Sequence, residues 1–289
     1  MTPPLLGAHV SIAGGLPRAI ERGVSLGCDA LQIFVKNASQ WRGRPLDQAE
    51  AGAFRSAHEA APIGPLVAHA SYLINLAATD PEILARSRAA LADELERCAR
   101  LGVEGLVVHP GAHLGAGEEV GLERVAASLD AVLDLAAETA QPGPWTATRV
   151  LLENTAGQGT VLGYRHAQLA AIRRASRHPG RLGFCLDTCH AFAAGYPVHE
   201  PAGLDEWLAE VGETLGWERV GALHLNDSKQ PFASRRDRHE NVGQGAIGPE
   251  PFARLLHDER LAGKPMIVET PTEDDMAGHR RDLELLRSL

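Results

Sequence analysis

RVLLENT, residues 149–155, is an apolar run that stops on a carboxylate followed by an amide. The run is continuous rather than alternating, as a strand reads when a parallel sheet buries both of its faces. Seven other stretches share this form: LLGAHV (5–10), ALQIFVKN (30–37), LVAHAS (66–71), GLVVHPG (105–111), LGFCLDTCH (182–190), GALHLND (221–227) and PMIVET (265–270). Each ends in a residue able to bind metal or substrate: His9, Lys36 or Asn37, His69, His109, Glu153, Asp187, His224 and Glu269. Between successive runs there is room for one helix and two loops. Eight parallel strands closed into a barrel would carry all these ends to one rim, where (β/α)8 enzymes keep their chemistry. The sequence therefore predicts an α/β fold, a single-domain (β/α)8 TIM barrel over residues 1–289 with a metal site at its C-terminal rim. An open doubly wound sheet would scatter the same ends over two crevices.

The segments between the runs carry helix signals. Leu16, Ile20 and Val24 repeat at helical spacing before Gly27. Thr79-Asp80-Pro81 supplies a capping residue and then a proline whose missing N–H costs nothing at a helix start. The helix it opens carries Ile83, Leu84, Leu91 and Leu95 on one face and reaches Gly102. Residues 118–140 repeat the pattern through Val125, Leu129, Val132 and Leu133 and stop before Gln141-Pro-Gly-Pro. Further helices are expected over 164–177, 204–215, 249–258 and 275–288. Residues 226–248 stay irregular, long for a barrel loop, and loops of that length tend to be functional.

The chain has 289 residues, and its 44% apolar content supplies a full core. No apolar run is long enough to span a bilayer, and the first residues lack a signal-peptide pattern, so a cytoplasmic protein without membrane partners is expected. Cys28, Cys98, Cys185 and Cys189 form no CxxC pair, and Cys185, inside an apolar run, is expected as a small core residue rather than a thiolate ligand. A net charge of −9 weighs against nucleic acid, since phosphate contacts want lysine and arginine. Three divalent ions would add six positive charges at the rim, however, and residues 228–239 and 41–44 are locally basic.

Glu153, Asp187, His224 and Glu269 end the last four runs, and carboxylate with imidazole suits a divalent zinc, manganese or magnesium ion. His69 and His109 fall beside Glu153, and imidazole favours zinc among abundant metals. His190, three residues after Asp187, joins Asp237 and His239 of the long loop in a third set. Nine ligands suffice for three ions if Glu153 or Asp187 bridges. A single strand-end histidine is more often structural, but buried carboxylates at successive ends with no lysine or arginine to neutralise them are costly. His9 points at the same rim without an obvious partner. His58, His166, His178, His257 and His279 fall on helices or helix ends and are expected in solvent, and His113 and His199 in rim loops.

LLENTAGQG (151–159), CLDTCHAFAAGY (185–196), HLNDSK (224–229), SRRDRHENVGQGAIG (234–248) and IVETP (267–271) closely resemble endonuclease IV, the zinc-dependent apurinic/apyrimidinic (AP) endonucleases of base-excision repair. The likeness runs from GAHVS to the last helix. It implies a (β/α)8 barrel with three zinc ions: one on His69, His109 and Glu153, one on Glu153, Asp187, His224 and Glu269, and one on His190, Asp237 and His239. It also implies hydrolysis of the phosphodiester 5′ to an abasic site in duplex DNA, leaving a 3′-hydroxyl and a 5′-deoxyribose phosphate. Glu153 and Glu269 would be the catalytic carboxylates. Tyr72 and Leu73 match the position that enters the lesion. Ser39 stands where many relatives carry arginine, which leaves Gln40 and Trp41 as candidate DNA contacts, with Lys229 and Arg238 of the basic loop. A monomer is the simplest state for an enzyme straddling bent DNA.

Two rival functions fit part of this pattern. A metal-dependent sugar isomerase or epimerase on the same barrel would use Glu153, Asp187, His224 and Glu269 but needs no Asp237-Arg-His239 element. A non-catalytic lesion-binding protein would use zinc only structurally, and a carboxylate shared between two ions argues against closed structural sites.

Overall fold

The protein is described by a computed structural model covering residues 4–139 and 148–289. Strands β1 (Leu5–Val10), β2 (Ala30–Phe34), β3 (Leu66–His69), β4 (Gly105–Val108), β5 (Arg149–Glu153), β6 (Leu182–Asp187) and β7 (Val220–His224) are followed by a two-stranded ribbon, β8 (Asp227–Ser228) with β9 (His239–Glu240), and then by β10 (Pro265–Val268). The barrel closes in the order β1-β10-β7-β6-β5-β4-β3-β2, all parallel, and its eight strands are the eight apolar runs. Helices α1 (Leu16–Leu26), α2 (Gln48–Glu59), α3 (Pro81–Leu101), α4 (Glu118–Thr139), α5 (His166–Ala175), α6 (Thr188–Ala194), α7 (Pro201–Thr214), α8 (Pro249–Leu256) and α9 (Ala277–Ser288) lie between and after them. The architecture is a single-domain TIM barrel. The Gln141-Pro-Gly-Pro stop falls outside the described residues.

The barrel interior is filled, not hollow. Ala30, Val67, Val107, Leu151, Cys185, Ala222 and Ile267 pack there as one cluster. Leu151 projects across the bore, and a Cβ at Gly105, Gly183 or Gly221 would stand 2.7–2.8 Å from its methyl groups. Three strands therefore carry glycine opposite one leucine, and that leucine plugs the floor two residues below Glu153. Cys185 is a core residue, as expected.

Two helices were absent from the sequence expectation. α2 has only Ala51 and Phe54 buried, so its apolar face is too sparse to show a period, although Asp47 caps it by accepting from the Glu50 N–H. α6 is seven residues long, too short for periodicity, and its cap is Asp187, whose Oδ1 accepts from the His190 N–H at 2.7 Å. Two histidines expected in solvent are buried. His166 stacks on Tyr196 with ring centroids 4.9 Å apart, and His279 Nε2–H donates to the Thr270 carbonyl.

The long loop after β7 is organised by one buried carboxylate. Asp227 accepts from the N–H groups of Ser228, Gly243, Gly245, Ile247 and Gly248 at 2.7–3.3 Å. A Cβ at Gly245 would lie 2.4 Å from Asp227 Oδ1, so only glycine lets the backbone wrap this closely. The fold thus closes the loop's far end and leaves residues 229–240 at the rim. Replacing Asp227 with alanine should strand these donors and cost roughly 3 kcal/mol. The urea midpoint should fall and limited proteolysis should cut within the loop; an unchanged midpoint would remove Asp227 from this role.

Candidate metal centre

Parallel strands of similar length deliver their last side chains to one level. Glu153, Asp187 and His224 are the final residues of β5, β6 and β7, His69 ends β3, and His109 and Glu269 follow β4 and β10 directly. Their ligand atoms converge into two groups, His69 with His109 and Glu153, and Glu153 with Asp187, His224 and Glu269. Within each, the atoms lie within 4.8 Å of one another. Glu153 belongs to both: its Oε2 lies 3.2 Å from His69 Nε2 and 3.0 Å from His109 Nε2, and its Oε1 lies 2.9 Å from His224 Nδ1.

The third set assembles around Asp237. Its Oδ2 is 3.1 Å from His190 Nε2 and its Oδ1 is 3.3 Å from His239 Nε2. Asp187 joins His190 and His239 in one group, and the Cys189 sulfur joins Asp237 and His239 in another. Asp187 thus faces both the second and the third set, and a thiol set aside by the spacing of the cysteines comes within ligand reach.

Backbone carbonyls choose which imidazole nitrogen faces inward. His69 Nδ1–H donates to the Ala70 carbonyl at 2.8 Å, His190 Nδ1–H to Asn154 at 2.9 Å and His239 Nδ1–H to Glu269 at 3.2 Å. A carbonyl can only accept, so in each neutral ring Nε2 carries the lone pair, as a metal ligand requires. The Nε2 atoms of His109, His190 and His239 are buried and make no hydrogen bond, although each lies 3.0–3.3 Å from a carboxylate oxygen. These nitrogens point past the oxygens into shared space. Two donors on one ion at about 2.0–2.1 Å would stand roughly that far apart. The donor set fits divalent transition-metal ions.

Charge supports the same fit. Among the described residues, Glu153, Asp187, Asp237 and Glu269 form ion pairs with histidines and with no lysine or arginine. Burial alone would raise the Glu153 and Glu269 carboxyls, but the surrounding imidazoles hold both well below the usual range. Burial alone would depress His190 and His224. Asp187 and Asp237 beside the first, and Cys185, Glu269 and Glu153 beside the second, hold both well above the usual imidazole range.

A family model described as a xylose isomerase-like TIM barrel matches residues 20–289. A probable endonuclease 4 of Chloroflexus aurantiacus is 51% identical over 286 residues, covering 99% of this chain and 98% of that protein. The crystal structure of endonuclease IV from Thermus thermophilus superposes with a TM-score of 0.85 at 41% identity, covering 99% of this chain and 98% of that one. The chain belongs to the endonuclease IV family. A D-tagatose 3-epimerase-like protein shares the fold at a TM-score of 0.71, covering 98% of this chain and 97% of that one, and at 19% identity that likeness extends to the fold alone.

The other residues singled out from the sequence divide sharply. Tyr72 is 69% exposed at the rim, with its ring centroid 5.7 Å from that of His69, and Leu73 beside it is exposed. Gln40, Lys229 and Arg238 are exposed, and the Lys229 N–H donates to the Arg238 carbonyl across the ribbon. Trp41 is half-buried and packs on the core, so its ring does not stand free at the rim. Lys36 is no rim ligand: its Nζ is buried 2.9 Å from Glu94 Oε1 and donates to the Gln40 carbonyl. Glu94 in turn accepts from the Ser71 N–H, and the Ser71 hydroxyl donates to the Ala38 carbonyl. This buried pair fixes the two loops that carry Gln40 and Tyr72.

Sequence reasoning missed three buried amides. Asn154 donates to the Asp187 carbonyl at 3.0 Å and accepts from its N–H at 2.6 Å. Asn226 donates to Asp187 Oδ2 at 2.6 Å and accepts from the Glu269 N–H at 2.8 Å. Gln32 lies among His9, His224 and Glu269. The available signal was an amide inside or directly after an apolar run.

Protons and metal should compete for this centre. The folded values of His190 and His224 are raised, so protons on these rings compete with a divalent ion for the same nitrogens. Metal uptake by the metal-free protein should release protons and weaken as pH falls through neutrality. Titration calorimetry in buffers of different ionisation enthalpy reads this directly; buffer-independent heats would contradict it.

Proposed function

We propose that this chain is a zinc-dependent AP endonuclease that hydrolyses the phosphodiester 5′ to an abasic site in duplex DNA, leaving a 3′-hydroxyl and a 5′-deoxyribose phosphate. The observation that carries the proposal is the rim itself. Carboxylates with no lysine or arginine beside them among the described residues share one surface with imidazoles whose nitrogens converge, and an exposed tyrosine stands over His69. Three zinc ions per chain are proposed: on His69, His109 and Glu153; on Glu153, Asp187, His224 and Glu269; and on His190, Asp237 and His239. When bound, zinc activates a water molecule at neutral pH and neutralises charge on phosphoryl oxygens.

The chain's own residues supply geometry. Glu153 sits between the first two sets and keeps them in register. Glu269 is the more exposed carboxylate of the second set, with Oε2 3.0 Å from His224 Nδ1, and is assigned to orient the attacking water or take its proton. Tyr72 and Leu73 fill the space left by the missing base, where no base pair need be broken. Gln40, Lys229 and Arg238 contact the backbone, and Trp41 acts by packing its loop. Ser39 is exposed and its side chain is too short to wedge, which favours Tyr72 and Leu73 for lesion filling. The third set, on a loop that a sugar epimerase does not need, favours phosphodiester chemistry over the isomerase alternative.

No helix among the described residues is long and apolar enough to cross a membrane. A cytoplasmic monomer acting on DNA completes the proposal.

The test is a nicking assay on a labelled duplex with one stable abasic analogue, with and without prior chelation. A single 5′ cut that chelation abolishes and zinc restores is expected; no cut by zinc-loaded protein would shift the assignment to an aldose isomerase. Glu269→Gln should bind the same duplex but cut it at least 100-fold more slowly, in line with about 3 kcal/mol of lost transition-state stabilisation. Tyr72→Ala should weaken binding to abasic duplex and leave binding to intact duplex unchanged; equal losses on both would remove it from lesion recognition.

A further inference from the structure

Gln32 is the polar residue in the middle of β2, ALQIF, and it is fully buried. It pairs in register with His9 on β1. A buried amide is costly unless its donors and acceptor are satisfied, so its partners matter. Here all of them belong to the rim. Gln32 Nε2 donates to Glu269 Oε1 at 2.5 Å and lies 2.9 Å from His9 Nδ1. Gln32 Oε1 accepts from His224 Nε2–H at 2.8 Å. The amide orientation is fixed by these neighbours, because turning it over would press its oxygen against the Glu269 carboxylate.

His224 differs from the other inward histidines. His69, His190 and His239 present Nε2 because a backbone carbonyl holds Nδ1–H. His224 presents Nδ1, which lies 2.9 Å from Glu153 Oε1 and 3.0 Å from Glu269 Oε2. Its opposite nitrogen is held by a side chain, not by the backbone. One amide therefore does two things at once. Its oxygen keeps the proton on Nε2 and leaves Nδ1 as the lone-pair donor. Its nitrogen holds Glu269 Oε1 and leaves Oε2 turned inward.

We propose that Gln32 is a positioning residue that selects the ligating nitrogen of His224 and orients the Glu269 carboxylate. This rests on the second set being a metal site. Gln32 touches neither the ion nor the DNA. Its removal should lower affinity at the second position by 10–100-fold, as loss of a ligand's hydrogen-bond partner does elsewhere, and leave the first and third positions loaded.

The experiment compares zinc-loaded full-length wild type, Gln32→Leu and Gln32→Glu, with histidine labelled by 15N. Long-range 1H–15N spectra report which His224 nitrogen carries the proton, and metal analysis after dialysis reports occupancy. In wild type, a proton on Nε2 and a metal-shifted Nδ1 are expected. Gln32→Leu should lose that signature and about one zinc per chain, with kcat reduced at least tenfold and KM for abasic duplex unchanged. Gln32→Glu keeps an acceptor for His224 but sets a carboxylate against Glu269. It should retain the His224 signature and still lose kcat, and it carries the test alone if Gln32→Leu is not recovered folded. A merely structural glutamine would shift the urea midpoint and nothing else. Full zinc content with kcat within twofold of wild type in either variant overturns the proposal. Wild type that itself binds no zinc overturns the metal-site assignment instead, and wild type that binds zinc but does not cut overturns the endonuclease reading, so the failures are distinguishable.

Discussion

Buried negative charge with no lysine or arginine paired to it, among the described residues, governs this molecule. Glu153 and Asp187 are fully buried, Glu269 nearly so, and Asp237 closes over them from the loop, yet the groups opposite them are imidazoles. Ionised carboxylates in such a place cost several kcal/mol each unless paired. Divalent ions would resolve the conflict. The barrel tolerates the arrangement because its strength lies elsewhere: in the filled bore around Leu151, in the apolar layer between strands and helices, and in a parallel sheet without edges. A rigid floor allows an electrostatically frustrated rim.

The rim is set by hydrogen bonds that face away from it. Carbonyls of Ala70, Asn154 and Glu269 orient three histidines, Asn154 and Asn226 hold Asp187, and Asp227 gathers the loop that brings Asp237 and His239 into place. Each is a short polar contact at a strand end or in the turn just beyond it, where the backbone is already fixed by the sheet. Ligand geometry is therefore inherited from the barrel and does not depend on long flexible side chains. The loops that carry Gln40 and Tyr72 follow the same rule, since the buried Lys36–Glu94 pair ties both to α3.

Much of this was legible in the sequence because strand ends in a parallel barrel share one level. An apolar run ending in histidine, aspartate or glutamate says at once where the strand stops and what stands at the rim, and six of the nine proposed ligands stand at such ends, while His190 was read from its spacing after Asp187 and Asp237 and His239 from the long loop. The failures have physical causes. Lys36 also ends an apolar run, but whether a strand-end cation faces the rim or a buried glutamate on a neighbouring helix depends on tertiary contacts. Trp41, named from the sequence as a candidate DNA contact, is half-buried against the core for the same tertiary reason. α6 was not expected because its cap, Asp187, is also a proposed ligand, so one residue carried two signals and only one was read. His166 and His279 were assigned to solvent because helical spacing does not tell a buried histidine with a partner from an exposed one. The orienting amides, Gln32 above all, show only as polar interruptions in apolar runs, and their partners lie as far as 237 residues away in sequence.

The central claim is that three ions neutralise this rim. Anomalous diffraction from crystals of protein purified without chelator, recorded on both sides of the zinc edge, tests it directly. Three zinc peaks are expected: among His69, His109 and Glu153; among Glu153, Asp187, His224 and Glu269; and between His190 and His239 beside Asp237. A rim with one peak or none, its carboxylates paired instead to protonated histidines, would contradict the account.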